Sequence, residues 1–217
     1  MIRDNYLRIQ EEISRITAEN GIGQKVTIVA VTKNQPEAVI PELASLGVSD
    51  FAENRVSALL ERAPLMNGTR HLIGHLQTNK VKKAISCADL IHSVDSLHLA
   101  REISRCSGIA NQVTDILIQV NIAKEPQKFG VYEEDLDDLL QNVASLPNLR
   151  IRGLMAIMPI ETKDEYYGKM YDLYRKYSEN KLYNVSMDIL SMGMSNDYET
   201  AVRYGSNMIR VGTALYL

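Results

Sequence analysis

The first residue whose type and position could do chemistry is a lysine at the end of an apolar run. Residues 26–33 read VTIVAVTK, a strand-forming segment that ends on Lys33. In parallel α/β architectures ligands bind beyond the carboxyl ends of the strands, so an amine placed there faces a binding site. Desolvation or a nearby cation favours the neutral amine, which can form a Schiff base. The alternative is a solvated lysine at the end of a strand.

Two stretches late in the chain have the composition of a phosphate site. They read MGMSND at residues 192–197 and RVGT at residues 210–213. Ser195 can cap a helix that follows it, and the first backbone N–H groups of a helix attract anions. Gly212 allows close backbone approach, and Thr213 supplies a hydroxyl. The pattern predicts a phosphate cradle, although a helix cap alone also explains Ser195.

An arginine near the last strand completes this set. The guanidinium of Arg210 can only donate hydrogen bonds, so it could meet an acceptor such as a pyridine nitrogen. A Schiff-base lysine, a phosphate cradle and such a donor together predict a pyridoxal phosphate site. The ring nitrogen would stay unprotonated, and the cofactor would be a weaker electron sink. A salt bridge inside the protein is the other interpretation of Arg210.

The elements that must position these residues form a regular series. Apolar segments alternate with helical patterns, which favours a closed (β/α)₈ TIM-type barrel. A doubly wound open sheet is the main competitor, but residues 32–37 after the first strand, TKNQPE, contain no glycine. An amphipathic stretch over residues 1–19 predicts an extra amino-terminal helix. The predicted strands cover residues 26–33, 50–53, 71–75, 90–94, 115–121, 149–157, 187–192 and 207–212.

Composition narrows the class of protein. The 217 residues are 45% hydrophobic and 24% charged, which predicts one domain over residues 1–217. Acidic residues number 27 and basic residues 24, without long blocks of one sign, so nucleic acid is not an expected partner. No apolar run approaches the ~18 residues of a membrane span, so a membrane is not expected either. Cys87 and Cys106 are expected to be core thiols in a cytoplasmic protein without a signal peptide. His71 and His75 lack metal-ligand spacing, and no metal is expected.

Seven motifs cover nearly every predicted strand end. They are AVTK around Lys33, FAENRV around Asn54, HLIGHLQTNK from His71, NIAKEPQKFGV from Asn121, GLMAI from Gly153, LSMGMSND from Leu190 and RVGTA from Arg210. Together they closely resemble the pyridoxal phosphate homeostasis proteins, the YggS/PROSC family, and LSMGMS is the most specific of them.

The resemblance implies an alanine racemase N-terminal-type barrel that binds pyridoxal 5'-phosphate. Lys33 would be the aldimine lysine, and Arg210 would meet the pyridine nitrogen. Lys128 matches a lysine that the family associates with secondary cofactor handling, although a solvated loop lysine fits equally well. The remaining residues implied in cofactor binding are Ser195, Gly212 and Thr213 at the phosphate, with Asn54 and Met192 nearby.

Two positions depart from the family pattern. Arg70 stands where a tryptophan is common, and the sequence stops at Leu217, where relatives continue into a final helix. We therefore expect no helix after the eighth strand, and we expect the amino-terminal helix to cover that part of the barrel wall.

The resemblance implies a role in vitamin B6 homeostasis. The chain would hold the cofactor and supply it to apo enzymes, as a monomer without strong catalytic activity of its own. Related racemases use a tyrosine beyond the barrel as a second proton carrier, whereas Tyr198, Tyr204 and Tyr216 of this chain are expected to pack in the fold. The alternatives are a pyridoxal phosphate-dependent racemase or lyase and a cofactor-free Schiff-base aldolase.

Overall fold

Eight parallel strands close into a barrel, in the order β1 to β8 around the ring. The computed structural model describes residues 1–21, 23–159, 164–179 and 182–217. The ring closes where Thr27–Ala30 pair with Met208–Val211. This confirms the predicted barrel and excludes the doubly wound sheet. The strands are β1 (Thr27–Val31), β2 (Asp50–Glu53), β3 (Thr69–Leu72), β4 (Leu90–Val94), β5 (Thr114–Val120), β6 (Leu149–Ala156), β7 (Val185–Ser191) and β8 (Met208–Val211).

Helices follow the strands and cover the outside of the barrel. One helix precedes the first strand, and its residues Tyr6, Ile9, Ile13 and Ile16 are buried, as the amphipathic pattern predicts. The described helices are α1 (Ile2–Asn20), α2 (Val39–Ser45), α3 (Val56–Arg62), α4 (Val81–Ala84), α5 (Leu97–Ile109), α6 (Glu133–Ala144), α7 (Asp164–Ser178), α8 (Tyr198–Arg203) and α9 (Thr213–Tyr216).

The end of the chain differs from the sequence prediction. A short helix, α9, follows β8, so the expectation of no helix there is wrong. Helix α1 packs against both α8 and α9. The Asn5 side-chain amide donates to the carbonyl of Leu215 at 3.2 Å. The amino-terminal helix therefore covers the barrel wall beside β8, as expected, and shares that task with α9.

Two apolar layers hold the fold together. The larger layer lies between strands and helices, and it includes the outward residues Ala30 of β1 and Ile209 of β8. It also takes in both cysteines, which are buried free thiols as predicted. Side chains alternate along each strand, so the neighbours of the outward residues point inward. The smaller layer fills the barrel and consists of Val29, Val31, Ala52, Leu90, Leu117, Met155 and Met208, with Ile73 and Ile189 packed against it.

Two further observations concern an ion pair of Arg70 and the length and polarity of the helices. Arg70, which departs from the family pattern, pairs in a two-point contact with Asp89, with both nitrogen–oxygen distances at 2.8 Å. In the ranges described, no helix has both the length and the apolar character needed to cross a membrane.

Gly153 on β6 gives a test of the strand packing. Its φ is +155°, and a β-carbon there would lie 1.8 Å from the carbonyl oxygen of Ile189 on β7. Because that atom belongs to backbone, the contact can be relieved only by moving the strands. We expect Gly153→Ala to lower the free energy of unfolding by more than about 2 kcal/mol, measured by urea denaturation.

Gly168→Ala is the matched control. Gly168 lies inside α7, and an added β-carbon would be 3.7 Å from the ring of Tyr204, an ordinary contact. Alanine is the better helix former, so this variant should gain about 0.5–1 kcal/mol. Equal stability changes in the two variants would contradict the β6–β7 geometry.

Candidate functional site

Side chains alternate along β1 and β8, so those of Lys33 and Arg210 face the same cavity. Val29 and Val31 belong to the barrel interior, and Lys33 lies two residues beyond Val31. Met208 is also interior, so Arg210, two residues further along β8, points the same way. Both side chains line a cavity of about 470 Å³ at the carboxyl ends of the strands.

Five of the predicted cofactor-binding residues meet in this cavity. Ser195, Gly212 and Thr213 join Lys33 and Arg210 in its wall. The β7 and β8 loops thus face the end of β1, as barrel closure requires. The remaining lining residues are Val31, Ile73, Met158, Pro159, Asp164, Tyr167, Met194, Asn196, Asp197 and Thr200.

Arg210 is a buried cation held by neutral acceptors. Its side chain is 3% exposed, and its two terminal nitrogens donate to Ser191 Oγ at 2.7 Å and to the Ala156 carbonyl at 2.9 Å. Burial lowers the pKa of the guanidinium to about 10, which still leaves it charged at neutral pH. No ion pair of Arg210 occurs within the described ranges. The salt-bridge interpretation is therefore wrong for that part of the chain.

Ser195 connects two loops and does not cap the next helix. Helix α8 begins at Tyr198 with Asp197 at its N-cap position, so the predicted cap is wrong. The Ser195 hydroxyl oxygen instead accepts from the backbone N–H of Gly212 at 3.2 Å and of Ala214 at 3.1 Å. A serine oxygen has two lone pairs and one hydrogen. With both lone pairs used, the hydroxyl hydrogen can be donated to an anion in the cavity.

Backbone N–H groups add to this donor set. Within the described residues, the N–H groups of Ser195, Asn196 and Thr213 donate no recorded hydrogen bond, and all three residues line the cavity. Together with the hydroxyls of Ser195 and Thr213, they form a set of donors suited to phosphate oxygens. The phosphate cradle predicted from the sequence fits this geometry through loop backbone, without a capped helix start at Ser195.

Sequence reasoning missed the acidic side of the cavity. Asp197 accepts hydrogen bonds from the Tyr167 hydroxyl at 2.8 Å and from the Met194 backbone N–H at 2.6 Å. Asp164, at the start of α7, lines the same wall. Asp197 belongs to the MSND stretch and could have been singled out there. Tyr167 and Asp164 come from a helix whose apolar pattern gave no sign of a ligand.

Lys33 stands at the open edge of the cavity. Its side chain is exposed, and the backbone turns directly after it, at Asn34, where φ is +61°. The protein therefore does not bury this amine in an apolar pocket, which was one of the two expected ways of favouring its neutral form. Arg210, a cation that the sequence prediction named, lines the same cavity.

Three predicted residues lie outside this cavity. The Met192 side chain is fully buried in the layer between barrel and helices, because inward Ser191 leaves Met192 on the outer face. Asn54 lines a second cavity of about 630 Å³, whose wall is mostly exposed and includes Lys80 and Lys83. Lys128 pairs with Glu125 at 2.5 Å and donates to the carbonyl of Met158 at 3.3 Å. Among the described residues of the cavity wall, Lys128 hydrogen-bonds to Met158.

The histidines are structural in their contacts. His71 is buried in the barrel, between Asp50 and His92, and His75 stacks on the ring of Phe129 with centroids 3.7 Å apart. Across the described ranges, no group of three or more His, Cys, Asp or Glu side chains could hold a metal ion.

The late tyrosines also pack away from the cavity. The Tyr216 hydroxyl donates to the carbonyl of Val31 at 3.2 Å, and burial raises its pKa. Tyr198 is buried in α8, and the Tyr204 ring stacks on Tyr167. None of the three lines the cavity wall. Their predicted packing role agrees with these contacts.

Comparison with known proteins identifies relatives over nearly the whole chain. The profile of the family described as "Alanine racemase, N-terminal domain" matches residues 5–217. The pyridoxal phosphate homeostasis protein of Aquifex aeolicus is 36% identical over 217 aligned residues, covering 96% of this chain and 94% of the relative.

Two of the solved structures that match this chain are a relative with pyridoxal phosphate bound and an alanine racemase. The structure of PipY from Synechococcus elongatus with pyridoxal phosphate bound matches with a TM-score of 0.87 and 30% identity, covering 100% of both chains. An alanine racemase from Clostridium difficile matches with a TM-score of 0.76 at 17% identity, which shows the fold alone. The alignment covers 98% of this chain but 56% of that racemase.

Replacement of Ser195 tests the link between the β7 and β8 loops. Ser195→Ala leaves the Gly212 and Ala214 N–H groups without their acceptor, so we expect a loss of about 1–3 kcal/mol in the free energy of unfolding without ligand. Ser145→Ala is the control, since its exposed hydroxyl donates only to a neighbouring helix carbonyl, and its effect should stay within about 0.5 kcal/mol. Equal urea midpoints for Ser195→Ala and the unmodified chain would contradict this contact.

Proposed function

The chain belongs to the alanine racemase N-terminal domain family and, within it, to the pyridoxal phosphate homeostasis proteins, and from this membership we propose that it binds pyridoxal 5'-phosphate in the Lys33–Arg210 cavity. The observation that carries the proposal is that an amine, a buried guanidinium and a set of N–H and hydroxyl donors line one space. These groups suit the aldehyde, the ring nitrogen and the phosphate of this cofactor.

Lys33 provides the covalent attachment in this proposal. Its amine would hold the cofactor, which when bound would supply an aldehyde that reacts reversibly with a primary amine. The Lys33 side chain is exposed at the cavity edge, so water has access to its amine. Reversible attachment is what a protein needs if it stores a reactive aldehyde and later releases it.

The phosphate is assigned to the loops after β7 and β8. Ser195 donates its remaining hydrogen, Thr213 its hydroxyl, and the loop backbone its N–H groups. These loops are positioned by the hydrogen bonds of Ser195 itself, so the donors are in place before the ligand arrives. Preorganised donors cost little ordering entropy on binding.

Arg210 sets the electronic character of the ring. A guanidinium is a donor only, so the ring nitrogen that meets it keeps its lone pair and carries no proton. When bound, pyridoxal phosphate supplies an electron sink, and that sink is weaker with an unprotonated ring. This arrangement favours holding the cofactor over carbanion chemistry.

We propose that the chain has no strong catalytic activity of its own. Fast racemisation needs a proton carrier on each face of the substrate. Tyr198, Tyr204 and Tyr216 do not line the cavity, and the hydroxyl of Tyr167, which does, donates to Asp197. The relatives are named as homeostasis proteins, which supports the same view. We further propose that the chain, as a cytoplasmic monomer, supplies the cofactor to apo enzymes.

Absorbance tests the attachment. The protein incubated with pyridoxal phosphate and freed of excess should show the visible band of a lysine-bound cofactor, and Lys33→Ala should lose it. Lys25→Ala is the matched control, since Lys25 is an exposed lysine at the opposite end of β1, and this variant should keep the band. A band of equal size in Lys33→Ala would refute the assignment of Lys33.

Supply to other proteins needs its own experiment. Loaded protein is mixed with an apo enzyme that requires the cofactor, in the presence of an excess of a scavenger that traps free pyridoxal phosphate. Direct transfer predicts activation of the enzyme despite the scavenger, whereas complete loss of activation would show that only free cofactor is passed on. Rapid exchange of the α-proton of alanine in deuterated buffer, dependent on Lys33, would instead favour a racemase.

A further inference from the structure

A hydrogen-bonded row of side chains crosses the barrel interior behind Arg210. Arg210 donates to Ser191 Oγ at 2.7 Å, and that oxygen lies 3.2 Å from Nδ1 of His92. The Nε2 atom of His92 lies 2.9 Å from Nδ1 of His71, and Nε2 of His71 lies 3.0 Å from a carboxylate oxygen of Asp50. The row connects β8, β7, β4, β3 and β2, and its three middle side chains are at most 1% exposed.

Arg210 at one end of the row can only donate, and the Asp50 carboxylate at the other end accepts. Together they determine which atom donates in each hydrogen bond between them. Arginine can only donate, so Ser191 accepts from Arg210 and has its single hydrogen left for His92. Nδ1 of His92 then accepts, and its Nε2–H donates to Nδ1 of His71. Nε2–H of His71 donates in turn to Asp50. Every bond is satisfied with both imidazoles neutral and protonated on Nε2.

The opposite direction would require a second buried cation. If His92 donated to Ser191, then its Nε2 would have to accept from Nδ1–H of His71, which already needs Nε2–H for Asp50. His71 would then be a charged imidazolium inside the barrel. Burying a second charge beside Arg210 is costly. Burial first, and then the nearby charge of Arg210, also hold the pKa of His92 well below its ordinary value of 6.5.

Asp50 anchors the far end of the row. Burial opposes ionisation of this carboxyl, but hydrogen bonds from His71 and Ser49 outweigh it, so the pKa of Asp50 is lowered. The group therefore remains a charged acceptor, which favours an N–H on the facing nitrogen of His71. An acidic side chain on β2 thus fixes the proton positions along the row as far as Arg210.

We propose that Ser191, His92 and His71 are positioning residues that hold the Arg210 guanidinium toward the ring nitrogen of the bound cofactor. The inference rests on the proposed function, because it assumes that Arg210 meets that nitrogen. The bonds to Ser191 and to the Ala156 carbonyl each use one terminal nitrogen, which fixes the plane of the guanidinium. The remaining N–H groups are left to donate into the cavity, in an orientation that the row determines.

The protonation pattern can be tested on the native chain without ligand. Long-range ¹H–¹⁵N correlation spectra at neutral pH distinguish the two neutral forms of histidine from the charged form. The chain has four histidines, and spectra of His75→Gln and His98→Gln assign the remaining two signals to the barrel pair. Both should show the neutral Nε2–H form. A signal of the Nδ1–H form or of a charged ring would overturn the direction of the row.

The positioning role is tested with two ligands and two serine variants. One ligand is pyridoxal phosphate, and the other is an analogue in which C–H replaces the ring nitrogen. Ser191→Ala removes the acceptor of Arg210 and should weaken binding of pyridoxal phosphate about tenfold while leaving the analogue unchanged. Ser93→Ala is the control, since Ser93 is equally buried on β4 and its hydroxyl has no partner among the described residues. It should bind both ligands like the unmodified chain.

The outcomes separate the inference from the proposed function. If the unmodified chain does not bind pyridoxal phosphate, the proposed function fails. If it binds, but Ser191→Ala weakens both ligands equally or neither of them, the positioning role is wrong and Ser191 serves only the stability of the barrel. Selective weakening of the ligand that has the ring nitrogen supports the role.

Discussion

The buried charge of Arg210 is the constraint on which the rest of the site depends. A cation removed from water needs compensation, and within the described residues Arg210 finds neutral acceptors only, Ser191 and the Ala156 carbonyl. The interior of the barrel is therefore not purely apolar. It contains a polar row that ends on the carboxylate of Asp50, and it opens onto a cavity whose donors suit an anion.

Barrel closure brings the other groups of this cavity to Arg210. Pairing of β1 with β8 places the carboxyl ends of the two strands side by side, so Lys33 and Arg210 share one cavity although they lie 177 positions apart in the sequence. The Ser195 hydroxyl then ties the β7 loop to the β8 loop. The same geometry leaves Lys33 exposed at the rim, which suits reversible attachment better than the enclosed reaction chamber of a fast enzyme.

The barrel and five residues of its cavity could be predicted because their signals are local. Apolar runs ended by polar residues mark strand ends, and Lys33 follows such a run, whereas Arg210 lies within the short apolar run of the last strand. Met192 shows the limit of motif matching, since the alternation that turns Ser191 inward also turns Met192 outward. Only the helix-cap role expected for Ser195 is wrong, because the hydrogen-bond partners of its hydroxyl lie 17 and 19 positions away, beyond any local pattern. Tyr167 and His92 lie in segments whose sequence patterns predict only a helix and a strand, so nothing local indicated that they contribute to the site.

The central claim is that Lys33 carries the cofactor, and covalent trapping tests it most directly. Protein loaded with pyridoxal phosphate is reduced with borohydride, digested with trypsin and analysed by mass spectrometry. Because trypsin does not cleave after a modified lysine, we expect the label on a peptide that spans residues 26–55 and contains an uncleaved Lys33. Label found on Lys128 or on other lysines, with residues 26–33 recovered unmodified, would contradict the account.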